Sequence, residues 1–242
     1  MMGSRSAALA VCAAWLSVAV PAVASADELV AGWEGGDSRG YVFASPTMSF
    51  AAKDAYSWVL RGTLSYLYYD VTETAGTTHV RSPGEAVAIG LRYSAPNITA
   101  TIAPGYEIRQ TRRHPASGGE ENDNESGVVV QGDVFYQATP LVNVSGIVSY
   151  SGANDYVWAR AGIKRQVTNL GAGNAATMHV GMEVTGQGNR DGHTAQFGGL
   201  FEFVYPAFHA SLQLRAGYSR LRNPDGSHES MPYFGVGFYR SL

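Results

Sequence analysis

The chain has 242 residues, a formal charge of −3, only 15% charged residues, 29 glycines, 14 tyrosines and one cysteine. Mild acidity argues against nucleic acid as a partner, since that role needs a basic face, and a lone cysteine excludes a disulfide framework. After the N-terminal segment the apolar residues are spread thinly in alternation, which is a β pattern and not a helical one.

Met1 to Ser6 carries one positive charge, Arg5, and an apolar run follows from Ala7 to Val20. Pro21 and a small-residue stretch come next, with Ala24 and Ala26 at the minus-three and minus-one positions of an A-x-A cleavage site before Asp27. The run is shorter than the roughly 20 residues that a membrane helix needs. Residues 1–26 therefore read as a cleaved secretory signal, and 27–242 as one exported domain. Cys12 follows Val11 early in the apolar run and is no lipoprotein cysteine, so the mature domain has no thiol.

About twelve strands follow, near 28–35, 40–50, 56–70, 84–94, 97–110, 127–138, 141–150, 155–166, 176–186, 194–205, 207–219 and 232–241. Most are close to the ~9–11 residues with which a tilted strand crosses a bilayer. Successive side chains of a strand point to opposite faces. In the fifth strand Ile98, Ala100, Ile102, Tyr106 and Ile108 share one face, and Thr99, Thr101, Gly105, Glu107 and Arg109 the other. In the eleventh, Phe208, Ala210, Leu212, Leu214, Ala216 and Tyr218 oppose His209, Ser211, Gln213, Arg215 and Gly217. The expected fold is all-β: a single antiparallel transmembrane β-barrel of about twelve strands, within a range of ten to fourteen. A periplasmic β-sandwich would alternate in the same way, so the connections decide.

Those connections alternate in length. Ser94 to Asn97, Thr139-Pro140 and Tyr205 to Ala207 are tight; Val71 to Pro83, Thr111 to Ser126 and Ser219 to Met231 are long and polar. Short periplasmic turns and long outer loops follow that rhythm in outer-membrane barrels. Val167 to Ala175 departs from it, being long where a short turn is due. Tyr56, Trp58, Tyr66, Tyr68, Tyr69, Tyr93, Tyr106, Tyr136, Tyr150, Tyr156, Trp158, Tyr205, Tyr218, Tyr233 and Tyr239 mostly fall near strand ends, where aromatic girdles would lie. Phe234, Val236, Phe238 and Leu242 keep one phase to the last residue, like the terminal strand signal read by barrel-assembly machinery.

The face opposite the apolar stripe carries Arg61, Arg92, Glu107, Arg109, Asp133, Arg160, Lys164, Glu183, Glu202 and Arg215, which would line a lumen. Mixed signs there can pair and fill the interior or border a narrow polar channel. Pairing is favoured, because an unpaired buried charge costs several kcal/mol.

No catalytic residue, metal ligand or cofactor site is assigned. His209-Ala210-Ser211 has the spacing of the His-x-Ser pair of outer-membrane lipid A deacylases but lies on the lumen face with no orienting third group. Gly171 to Ala176 imitates a dinucleotide loop without the strand and helix that give it function. Glu120 to Glu125 and Asn223 to Glu229 hold oxygen ligands without calcium-loop spacing, so they read as solvated outer loops. His79, His114, His193 and His228 are scattered through long loops, and Asn97-Ile98-Thr99 matches a glycosylation acceptor in a chain with a bacterial-type signal.

Glu28-Leu29-Val30-Ala31-Gly32-Trp33-Glu34, Asp155 to Lys164, Gly181-Met182-Glu183 and the closing Tyr233 to Arg240 resemble the BcsS family of outer-membrane barrels associated with bacterial cellulose biosynthesis. The extended Thr111 to Ser126 loop departs from that pattern. The resemblance implies a non-enzymatic barrel in the outer membrane of a Gram-negative bacterium, serving cellulose or exopolysaccharide biosynthesis or export. A general small-solute porin and a lipid-modifying enzyme are the alternatives. Expected partners are outer-membrane lipid and lipopolysaccharide, the barrel-assembly machinery, and polysaccharide or cellulose-synthesis components.

Overall fold

The computed structural model describes residues 27–36, 38–73, 76–171, 175–189, 192–222 and 227–242. The expected signal, 1–26, lies outside them. Twelve strands follow in order: β1 Glu28–Gly35, β2 Arg39–Lys53, β3 Tyr56–Glu73, β4 Gly76–Ala95, β5 Ile98–His114, β6 Glu121–Thr139, β7 Val142–Ser151, β8 Tyr156–Leu170, β9 Ala176–Asn189, β10 Gly192–Tyr205, β11 Ala210–Arg222 and β12 His228–Ser241. Each pairs antiparallel with its neighbours in sequence, and β1 pairs with β12, from Glu28↔Ser241 to Gly35↔Phe234, to close the barrel. Closure leaves no sheet edge, which is the condition for surrounding such a sheet with hydrocarbon.

Side-chain parity decides what faces where. Val87, Ile102, Ile108, Met182, Phe197, Tyr218 and Phe234 are 56–72% exposed, on the outside of the wall. The interleaved Thr101, Glu107, Arg109, Glu183, Thr185 and Glu202 are buried inside it. A water-soluble sandwich would invert that order, hiding the apolar face and wetting the polar one. Tyr56 and Tyr93 touch on the outer surface, with ring centroids 5.2 Å apart, at the end where turns are short.

The two ends differ. Tight turns join β2–β3, β4–β5, β6–β7 and β10–β11, and the start of β1 and the end of β12 lie at this end, where Leu242 N–H donates to the Asp27 carbonyl at 2.7 Å. Three register shifts, near Phe50, Gln137 and Gln166, also sit there. The long β8–β9 connection contracts to Gly171–Ala175, because β8 continues past its shift to Leu170.

At the other end three expected loops are largely strand, Ser219 to Met231 among them because β11 and β12 stay paired to Arg222↔His228. β3 and β4 stay paired to Glu73↔Gly76, and β5 and β6 to Arg113↔Glu121. Polar residues lengthen a ladder as well as apolar ones once the register is set, since the backbone supplies the bonds. The wall formed by β3 to β6, with strands of 17–20 residues, rises above β1 and β7, with 8 and 10.

Candidate functional site: the barrel interior

All ten charged residues named from the sequence turn inward and meet partners. Arg61 on β3 reaches Asp133 on β6 at 2.6 Å. Arg92 on β4 grips both oxygens of Glu28 on β1, at 2.8 and 2.7 Å. Arg160 on β8 pairs with Glu34 on β1. None of these three pairs joins adjacent strands, so each one is a chord across the interior. A guanidinium suits the role because its planar fork can satisfy a carboxylate bidentately.

Glu183 is the most deeply buried of these carboxylates. Its carboxylate is 3.1 Å from Arg215 Nε and 3.7 Å from Arg160 Nε, and Tyr233 donates its hydroxyl to it at 3.1 Å. With 2% of its side chain exposed, its counter-charges come from the protein and not from solvent. Further along, Glu202 accepts from Ser211 and Gln213 at 2.9 Å each and pairs with Lys164. In the third cluster Arg109 binds Glu107 at 2.5 Å, Ser65 at 3.1 Å and the Ser82 carbonyl at 3.0 Å. Ser151 donates to the remaining oxygen of Glu107.

Small residues let these side chains fill the space. Ala88, Ala103, Val59 and Val129 are almost fully buried on the inward face of β3 to β6. Gly90 lies against β5, where an added Cβ would come within 2.1 Å of the Ile102 carbonyl.

Several inward residues were not singled out from the sequence. Glu28 and Glu34 alternate with Leu29, Ala31 and Trp33, so their parity was there to be read in β1. Tyr69, Tyr156, Trp158, Tyr233 and Tyr239 correct the girdle expectation: they share the inward parity of Arg61, Arg160 and Glu183, and Arg160 stacks 4.9 Å from the Trp158 ring. Phe135 and Ile147 also face inward, opposite Ser145 and Asp133, and are 40% and 39% exposed near the short-turn end.

The His209 and Ser211 pairing fails for a geometric reason. His209 is not in β11; it is exposed in a left-handed conformation (φ 49°) closing the Pro206–Phe208 turn. Ser211, buried, spends its hydroxyl on Glu202. No group of three or more His, Cys, Asp or Glu positioned to hold a metal occurs among the described residues. The Gly171 to Ala176 and Asn223 to Glu229 segments lie partly outside those residues. Glu121 to Glu125 is strand, contrary to the loop expected there, because it pairs with Arg109 to Arg113 of β5.

A closed antiparallel twelve-stranded wall, apolar outside and charged inside, has the architecture of outer-membrane β-barrels. The solved structures it resembles are of that kind. They include LpxR from Salmonella typhimurium (TM-score 0.50, 13% identity, covering 89% of this chain and 100% of that one). They also include the β domain of the Bordetella autotransporter BrkA (TM-score 0.49, 13% identity, 89% and 98%). The KdgM porin, solved with disordered oligogalacturonate, is similar at a TM-score of 0.45 and 11% identity, with 89% and 99% covered. At such identities the likeness is one of fold alone. The family model described as cellulose biosynthesis protein BcsS matches residues 32–242, and the chain belongs to that family. No curated protein matches it.

Proposed function

We propose that this chain is a non-enzymatic barrel of the Gram-negative outer membrane that supports cellulose or a related exopolysaccharide, with a lumen held shut by its own ion pairs. Family membership supports the process. The observation carrying the closed lumen is the set of chords joining β1 to β4, β1 to β8 and β3 to β6, since any solute would have to part them. The apolar outer face supports placement in a bilayer, with the short turns, the start of β1 and the end of β12 on the periplasmic side. Removal of residues 1–26 fits a ladder that begins at Glu28, just past the cleavage site. A hydrolytic role finds little support: Ser211 is committed to Glu202 and faces the interior, away from any lipid substrate.

The test has two parts. A deletion strain should lose cellulose output, and the cloned gene should restore it; unchanged output would remove the tie to polysaccharide. In planar bilayers the purified protein should be silent, whereas Glu34→Ala/Arg160→Ala should conduct. Steady wild-type conductance would instead make it a porin.

A further inference from the structure

We propose that the outward rim of the barrel, at the end away from the short turns, binds the phosphate groups of the outer-leaflet glycolipid. Arg81 on β4 and Arg112 on β5 are cross-strand partners, and one step further out His79 opposes His114. Both arginines are exposed and share the outward parity of Val87, Ile89 and Ile108. Arg112 lies four residues beyond Ile108, which at ~3.3 Å per residue puts it roughly 13 Å further along the strand. With barrel strands tilted by about 35–45°, that is roughly 10 Å of height, enough to reach headgroups above the apolar band. Tyr66 and Tyr68 face outward beside Pro83 and Arg81, as interfacial tyrosines do.

A second arginine pair, two residues apart on one strand, lies on the far side of the barrel. Arg222 on β11 stands between His193 of β10 and His228 of β12, and Arg220 between Ala195 and Ser230, above outward-facing Phe197 and Tyr218. Among the described residues none of these four arginines has a carboxylate within ion-pair distance. The outward acids nearby are few. Asp70 is hydrogen-bonded to His79 at 2.7 Å, and Glu85 lies lower, opposite Ile108. Glu121, Asp123, Glu125 and Glu229 all take the inward parity.

Like charges directly opposite one another weaken a sheet. A phosphate set between two guanidiniums removes that penalty and accepts bidentate bonds from both. Acyl chains below the phosphate would lie on Val87, Ile89 and Ile108, so a lipid satisfies the whole surface where a free anion satisfies only its top. This inference rests on the outer-membrane placement proposed above.

The experiment uses the mature protein in detergent, titrated with diphosphoryl lipid A, fully dephosphorylated lipid A or inorganic phosphate, with retained lipid read by native mass spectrometry. Wild type should hold diphosphoryl lipid A. Arg81→Gln/Arg112→Gln/Arg220→Gln/Arg222→Gln should bind it about a hundredfold more weakly, since each patch loses two charge-assisted contacts. Equal binding of dephosphorylated lipid, or undiminished binding by the variant, would overturn the proposal. Competition by inorganic phosphate at equal affinity would do so too, assigning the patch to a soluble anion. A faster-migrating unboiled band shows that the variant is folded; if it is not, the two double variants are tested singly. Fractionation tests the membrane placement separately, because binding in detergent does not depend on where the cell puts the protein.

Discussion

Arg112 and Arg113 are neighbours in β5 and point in opposite directions. Arg113 turns inward toward Asp123, 3.8 Å away. Arg112 turns outward and faces Arg81 across the ladder. The contrast holds for the whole molecule. Inside, Arg61, Arg92, Arg109, Arg160 and Arg215 all have carboxylates within 3.1 Å, whereas the four rim arginines have none among the described residues. The interior guanidiniums are only 6–13% exposed, so each must bring its counter-ion with it. On the rim, water or a lipid headgroup can supply that ion. Strand parity alone assigns each arginine to one regime or the other.

Breaking the interior should therefore cost more than breaking the rim, and most where burial is deepest. Glu183→Ala takes a shared counter-ion from two guanidiniums and the acceptor from a tyrosine hydroxyl, and should destabilise the barrel by about 3–5 kcal/mol. The temperature at which the unboiled gel band shifts to the denatured position would measure it. Arg92→Ala leaves Glu28, whose side chain is 23% exposed, without its bidentate partner, for a loss of about 2 kcal/mol by the same assay. Asp133→Asn should cost under about 1 kcal/mol, because that carboxylate is 28% exposed and water can replace part of what it loses. If the three losses came out equal, burial would not be what sets the energy of these pairs.

Much of this was open to a reader of the sequence, for one reason. A period of two survives any error in strand boundaries, so Arg61, Glu107, Asp133, Glu183 and Arg215 could be placed on the inward face without knowing which strands meet. Who pairs with whom was not legible. Arg160 and Glu34 lie 126 residues apart and meet only because β1 closes on β12. Tyr233 and Trp158 were misassigned to the girdle because an aromatic ring suits a membrane interface and a packed interior equally well. The tops of β3 to β6 read as loops because polar strands lack the apolar alternation that announces a strand. The outward row of His79, Arg81, Arg112 and His114 was hidden by the same error, since a loop has no faces.

The smallest effect is the one that sharpens the comparison most. Arg220→Gln/Arg222→Gln removes two cations from the exposed end of β11, where no carboxylate depends on them among the described residues. In detergent free of lipid A, the band-shift temperature should stay where wild type has it, in contrast to Glu183→Ala. Adding diphosphoryl lipid A should then raise it for wild type more than for the variant, because a ligand stabilises only what it binds. A loss of stability in the variant before any lipid is added would mean that the rim arginines hold the barrel together directly. The line between a self-paired interior and a rim completed by lipid would then have to be redrawn.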